Sequence, residues 1–188
     1  QGVLEEAAQS LEQAEAFGSP YFRALALRSQ GQALILLGRH AEAIAPLREA
    51  RPLTVRGAGA YQFEAHHLAV LAEACLGAGQ VDEAARLTQE AVESGQASGG
   101  KLWELRAWLA RLALPRAALD DTRAAAGFAR ARELIESMQA RGVEPHFDEL
   151  AAARAENQQE RTRWLERAIA GYEWIGAKAH SRRLRLGR

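Results

Sequence analysis

Small and large apolar residues recur along the chain at helical spacing, in paired segments interrupted by glycine. The clearest pair spans Leu27 to Ala50. Leu27, Gly31 and Leu34 share one stripe, and Ala43, Leu47 and Ala50 share a second. Small residues at Gly31 and Ala43 let two helix backbones approach, while Leu34 and Leu47 fill the space beside them. Gly38 is expected to end the first helix, because glycine takes the left-handed cap conformation at no steric cost. The pattern predicts a helical hairpin.

The same alternation continues in both directions. Leu4 to Phe17 predicts a helix with Ala7, Leu11 and Ala14 on its stripe, closed by Gly18-Ser19-Pro20. It carries the small–large–small signature of a second hairpin helix. Pro20 suits the first turn of the next helix, which runs to Leu37. A helix from His40 to Val55 follows, with a kink expected at Pro46. Gly57-Ala58-Gly59 is a break, and Ala60 to Leu76 forms the next helix, with Leu68, Ala72 and Cys75 on its stripe. Gly77 to Gln80 is a turn, and Asp82 is the expected N-cap of a helix carrying Ala84, Thr88 and Ala91. Ser94 to Gly100 has the composition of a loose linker. A third hairpin pairs the helix of Leu102, Leu105, Leu109 and Leu112 with one carrying Ala124, Phe128 and Ala131. The latter is expected to reach Arg141 and stop at Gly142. Glu144-Pro145 opens a fourth unit with Phe147, Leu150 and Ala151. Beyond a polar turn at Asn157 its second helix carries Leu165 and Ala168, with Arg161 in the usual small position. Gly176 ends it, and Ala179 to Leu186 forms a short basic helix.

Ala7, Ala43, Ala84, Ala124 and Arg161 hold equivalent places at intervals of 36, 41, 40 and 37 residues. A near-constant interval of this size marks a solenoid. Period-two alternation is absent, so no strands are expected. The order of large, small, large, turn glycine, then small, large, small resembles the tetratricopeptide repeat, whose unit is about 34 residues. The resemblance implies an all-α, right-handed solenoid of about four hairpins, forming one domain over 1–188. Its units are a half-repeat at 1–18, hairpins at 20–56, 60–97, 101–142 and 145–176, and a capping helix at 178–188. The phrases Leu71-Ala-Glu-Ala-Cys-Leu-Gly-Ala-Gly79, Gln80-Val-Asp-Glu-Ala84 and Leu165-Glu-Arg-Ala-Ile-Ala-Gly-Tyr-Glu-Trp-Ile-Gly-Ala177 look like the C-terminal repeat region of large bacterial regulators. In those proteins the repeats follow a signalling ATPase module, often joined to a nucleotide-cyclase or DNA-binding domain. The chain opens on Gln1 inside a helical pattern, and a fragment of such a protein is expected.

Composition narrows the function more than it defines it. The 24 basic and 24 acidic residues cancel, so no overall field favours nucleic acid or an anionic membrane. Cys75 is the lone cysteine, which excludes an intrachain disulfide and agrees with a reducing, cytoplasmic setting. No apolar run is long enough to span a bilayer.

Candidate chemistry is sparse. Gly95 to Lys101 nearly matches a phosphate loop, but Leu102 replaces the magnesium-binding hydroxyl and a helix, not a strand, precedes it. A linker is the better reading. His66 and His67 point about 100° apart on one helix and cannot jointly grip a metal; with Glu64 and His146–Glu149 they suit a solvated helix face. Cys75 fits a core position. Trp103, Trp108, Trp164 and Trp174 are expected to pack between helices. The tail from Lys178 through His180, Arg182, Arg183, Arg185 and Arg188 suits a polar cap. No catalytic motif is met, and neither cofactor nor enzymatic activity is expected.

In tetratricopeptide arrays the first helices of successive repeats line a concave surface. The resemblance places Arg28, Gln32 and Ile35 there, then His66, Ala69 and Glu73, then Glu104, Ala107 and Arg111. This mixed polar groove suits a peptide segment of a protein partner, or a small-molecule effector controlling an attached output domain. The paired asparagines and lysines of the chaperone-tail clamp are missing, since Asn157 is the only asparagine.

Overall fold

The structure, a computed structural model, describes residues 2–55 and 61–187. The break expected at Gly57-Ala58-Gly59, the helix start expected at Ala60, the opening Gln1 and the terminal Arg188 lie outside them. Every regular element among the described residues is a helix: α1 (Gly2–Ala16), α2 (Pro20–Leu36), α3 (His40–Val55), α4 (Tyr61–Gly77), α5 (Val81–Ser98), α6 (Lys101–Leu112), α7 (Asp121–Met138), a 3-10 turn over Arg141–Val143, α8 (Glu144–Ala153), α9 (Gln158–Trp174) and α10 (Lys178–Leu186). None of them is long and apolar enough to cross a membrane. The chain divides into two compact units, Gln1–Leu119 and Asp120–Arg188, and the boundary falls within the 101–142 stretch.

In the first unit each helix packs on its neighbours in sequence, and α2 and α6 each also pack on α4. The stripes found in the sequence are the contact faces. Leu27, Gly31, Leu34, Ala43, Leu47 and Ala50 are all buried. A Cβ at Gly31 would stand 2.4 Å from Leu47 Cγ, so the α2–α3 contact admits no side chain there. Ala24, Leu27 and Ala50 form one cluster with Leu11 and Leu53 packed on it. Its counterparts Leu68, Ala72, Cys75, Ala84 and Ala91 are also buried.

One turn recurs. Arg39 N–H donates to Leu34 O at 2.8 Å and Gly38 N–H to Ile35 O at 2.9 Å. Gln80 and Gly79 repeat the pair onto Cys75 and Leu76, and Ala177 and Gly176 onto Tyr172 and Glu173. These bonds satisfy carbonyls that the helix end leaves open. They need a left-handed residue, and Gly38 takes φ +73°.

Three sequence expectations are corrected. α7 stops at Met138, short of Gly142, because Gln139 itself takes the left-handed position with φ 52° and Ala140 N–H reaches Ile135 O. Asp82 is not the N-cap of α5. The turn's last bond leaves Gln80 at that position, so Asp82 falls in the first turn, where its charge favours the helix N-terminus. Ser94 to Gly100 is not a loose linker. α5 continues to Ser98, Gly99 is its left-handed cap, and α6 starts at Lys101. Gly95 is buried at the crossing, where a Cβ would meet Glu104 Cα at 2.8 Å.

The second unit holds α7 to α10. Asp120 caps α7 by accepting from Arg123 N–H at 2.9 Å, and Asn157 caps α9 by accepting from Glu160 N–H at 2.9 Å. Phe147 of α8 meets Phe128 edge-on at 5.3 Å, and Pro145 packs where Gly171 has no side chain. Ala168, Ile169, Tyr172 and Leu184 form a core joining α9 to α10. Arg161 is exposed at its degenerate stripe position. The basic tail is partly engaged: Arg183 pairs with Glu149 at 2.8 Å and Arg185 with Glu173 at 2.5 Å.

Candidate interaction groove

Of the sequence-predicted residues, all within the first unit, Arg28 of α2 and His66 of α4 are brought together across the contact of α4 with α2 and α6. The Glu104 backbone lies instead at the crossing with α5, against Gly95. α4 is central because α2 and α6 both pack on it. His66 stacks on Trp103 of α6 with ring centroids 5.0 Å apart, and Phe63 meets the same indole edge-on at 5.4 Å. From α2, the Arg28 guanidinium lies over the Phe63 ring at 5.9 Å. An aromatic seam therefore runs across three helices, with an arginine at one end.

The predicted residues divide by depth. Arg28, Gln32, Ile35 and Arg111 are half-buried and Glu73 is exposed. His66 and Glu104 are buried, with Ala69 and Ala107 beside them. Glu104 accepts from Trp108 Nε1 at 3.4 Å.

The two histidines overturn the expectation of a solvated face. His67 is fully buried, and its Nε2 lies 2.8 Å from Leu47 O, which can only accept. The proton therefore sits on Nε2, leaving Nδ1 as a bare lone pair with no partner among the described residues. Burial drives the His67 pKa down to about 4, opposed by the bond to Leu47 and assisted by Arg28 and Arg51. His66 is pushed down to about 3, first by burial and then by Arg28, Arg106 and His67. Both rings are neutral at pH 7. The signal missed was register: 41 residues after Leu25 and Ala26 the chain places these histidines on a covered face.

Arg28 is the unusual charge. Burial lowers its pKa, and the interaction opposing that comes from Tyr21, not from a carboxylate. Its Nε is buried without a hydrogen-bond partner among the described residues. Glu73 is exposed, yet the protein around its carboxyl still raises its pKa, with His40 and Arg106 acting in the opposite direction. Phe63 and Arg106 were not singled out from the sequence. The register offers Phe63, which lies 41 residues after Phe22, but nothing marks Arg106 among so many arginines.

The remaining candidates fall elsewhere. Cys75 is buried and burial raises its thiol pKa, as suits a core residue. Trp108 and Trp164 are half-buried, and Trp164 carries Arg167 over its ring at 4.8 Å. Trp174 departs from the packing expectation and is 71% exposed. It borders a cavity of about 490 Å³ in the second unit with Arg141, Asp148 and Arg167. Among the described residues no three of His, Cys, Asp and Glu gather to hold a metal. Neither a scan against protein-family models nor a search of the curated proteins finds a match for the chain.

Proposed function

We propose that the protein is a tetratricopeptide-like scaffold, a right-handed array of hairpins that binds a peptide segment of a partner protein along the α2–α4–α6 face. It serves as one region of a larger cytoplasmic bacterial signalling or transcriptional regulator and carries no catalysis of its own. The repeat intervals, the recurring turn and the packing of α2 and α6 on α4 support the architecture.

One observation carries the functional reading. Arg28 is half-buried, lies on an aromatic ring, and has no carboxylate partner among the described residues. A desolvated charge is costly unless it is paired. A fold that keeps one on a shared face with a ring but no counter-charge leaves its polar edge for a partner, and arginine is enriched among residues that dominate interfaces. The test combines Arg28→Ala with Arg111→Ala. The double variant should keep the parent's circular dichroism yet lose a partner that the parent retains in a pull-down, with calorimetric titration of the recovered partner. Retained binding that disappears when residues 178–188 are deleted would place the interface on the terminal helix instead.

A further inference from the structure

The groove between α1 and α2 is open, and the molecule itself shows what such a groove holds. Its walls are Ser10, Gln13, Ala14 and Phe17 from α1 and Phe22, Leu25, Ala26 and Ser29 from α2, enclosing about 420 Å³. Phe17 is 81% exposed and Phe22 51%, and the two rings meet edge-on at 6.2 Å. Two large aromatic side chains left this open are costly in water.

The repeat intervals carry each wall to a covered counterpart. On α3, 36 residues on, Ser10, Gln13, Ala14 and Phe17 become Pro46, Glu49, Ala50 and Leu53. On α4, 41 residues on, Phe22, Leu25, Ala26 and Ser29 become Phe63, His66, His67 and Val70. The α3–α4 groove is filled by α2. Ala24 and Leu27 pack on Ala50 and Leu53, Arg23 pairs with Glu49 at 2.5 Å, and Arg28 covers Phe63. Ser29 is exposed where its counterpart Val70 is buried, and Leu25 is half-buried where His66 is buried. The two grooves are thus equivalent, one occupied and one empty.

We propose that the α1–α2 groove is the docking site of one amphipathic helix, seated as α2 is seated on α3–α4. The occupant is a further repeat helix of the same polypeptide, joined to α1 by the turn that joins α2 to α3. Its contact stripe is small, large, small at the spacing of Ala24, Leu27 and Gly31. Where Arg23 meets Glu49, the open groove offers the neutral Gln13, so docking rests on apolar contact and resists salt.

Two arms test this on the 188-residue protein. In the first, a synthetic peptide copying residues 20–39 is titrated into protein carrying ring-labelled phenylalanine. Signals of Phe17 and Phe22 should shift saturably and equally at low and high salt, while those of Phe63, Phe128 and Phe147 stay. A peptide with Leu27→Glu should not act. In the second arm a copy of residues 20–39 replaces residues 1–3. The added helix should raise the melting temperature by at least about 3 °C, and the Leu27→Glu copy should not. Stabilisation in the second arm alone still supports the proposal, because a tethered helix binds at high effective concentration. Silence in both arms overturns it. So does a shift at Phe63, which would mean that the peptide displaces α2. Concentration-dependent dimerisation of the protein alone that shifts Phe17 and Phe22 would make the occupant a second copy and also overturn it.

Discussion

α2 and α4 hold the same place in successive hairpins, yet they bury different chemistry. Both end in the same two-bond turn, at Gly38 and Gly79, and both bury a small residue at the equivalent stripe position, Gly31 and Ala72. α2 then carries Leu25 and Ala26 where α4 carries His66 and His67. Packing geometry tolerates the exchange because a neutral imidazole is a flat ring without charge, and at His67 Leu47 O satisfies its one donor. What the exchange alters is the response to acid.

The largest expected effect follows. The folded pKa of each histidine lies below its unfolded value of about 6.5, so the unfolded chain binds protons first. Stability is therefore full above about pH 6.5 and falls as the pH drops towards about 4 for His67 and about 3 for His66. The loss attributable to His67 is on the order of 3 kcal/mol. Chemical denaturation at stepped pH measures it. A His66→Gln, His67→Gln variant should flatten the curve over that window; an unchanged slope would show that α4 is no more acid-sensitive than α2.

Gly31→Leu comes next and tests what the two helices share. It should cost about 1–3 kcal/mol by overpacking against Leu47, despite the better helix propensity of leucine. A melting temperature at or above the parent's would remove Gly31 from the helix contact. Gly38→Ala and Gly79→Ala should each cost about 1 kcal/mol, since both force alanine into a left-handed conformation. Unequal losses would break the equivalence of the turns. The smallest effect belongs to Lys101→Ala, which should leave stability unchanged, with no thermal shift of the parent by magnesium-ATP. A dose-dependent rise that the substitution abolishes would restore the phosphate-loop reading.

The paired stripes were legible because small and large residues at helical spacing have few other uses, and Gly31 was identified from that pattern alone. The groove was legible only in part. Register brought Arg28 and His66 to one face, but burial there depends on the neighbouring side chains, and His66 turned out buried under Trp103, while Glu104 is buried where its backbone crosses Gly95 of α5. His67 looked solvated because a sequence does not reveal that Leu47 O of the preceding hairpin waits beside it. Gln139 defeated the expected end of α7 because glutamine rarely takes a positive φ, and Gly142 nearby offered a more obvious stop.

The corner at Gly95 decides how the chain can be cut. A glycine- and serine-rich stretch ending in Lys101 invites proteases and insertions when it hangs free. Here Gly95 lies against the Glu104 backbone, and Lys101 already belongs to α6. A trypsin site in a packed helical turn must unfold locally before it fits a protease cleft. The peptide bond after Lys101 should therefore survive a digestion that an open linker would not. A tag or reporter inserted between Gly95 and Gly100 would pry two helices apart, so the seam that looks most convenient for engineering is among the least suitable.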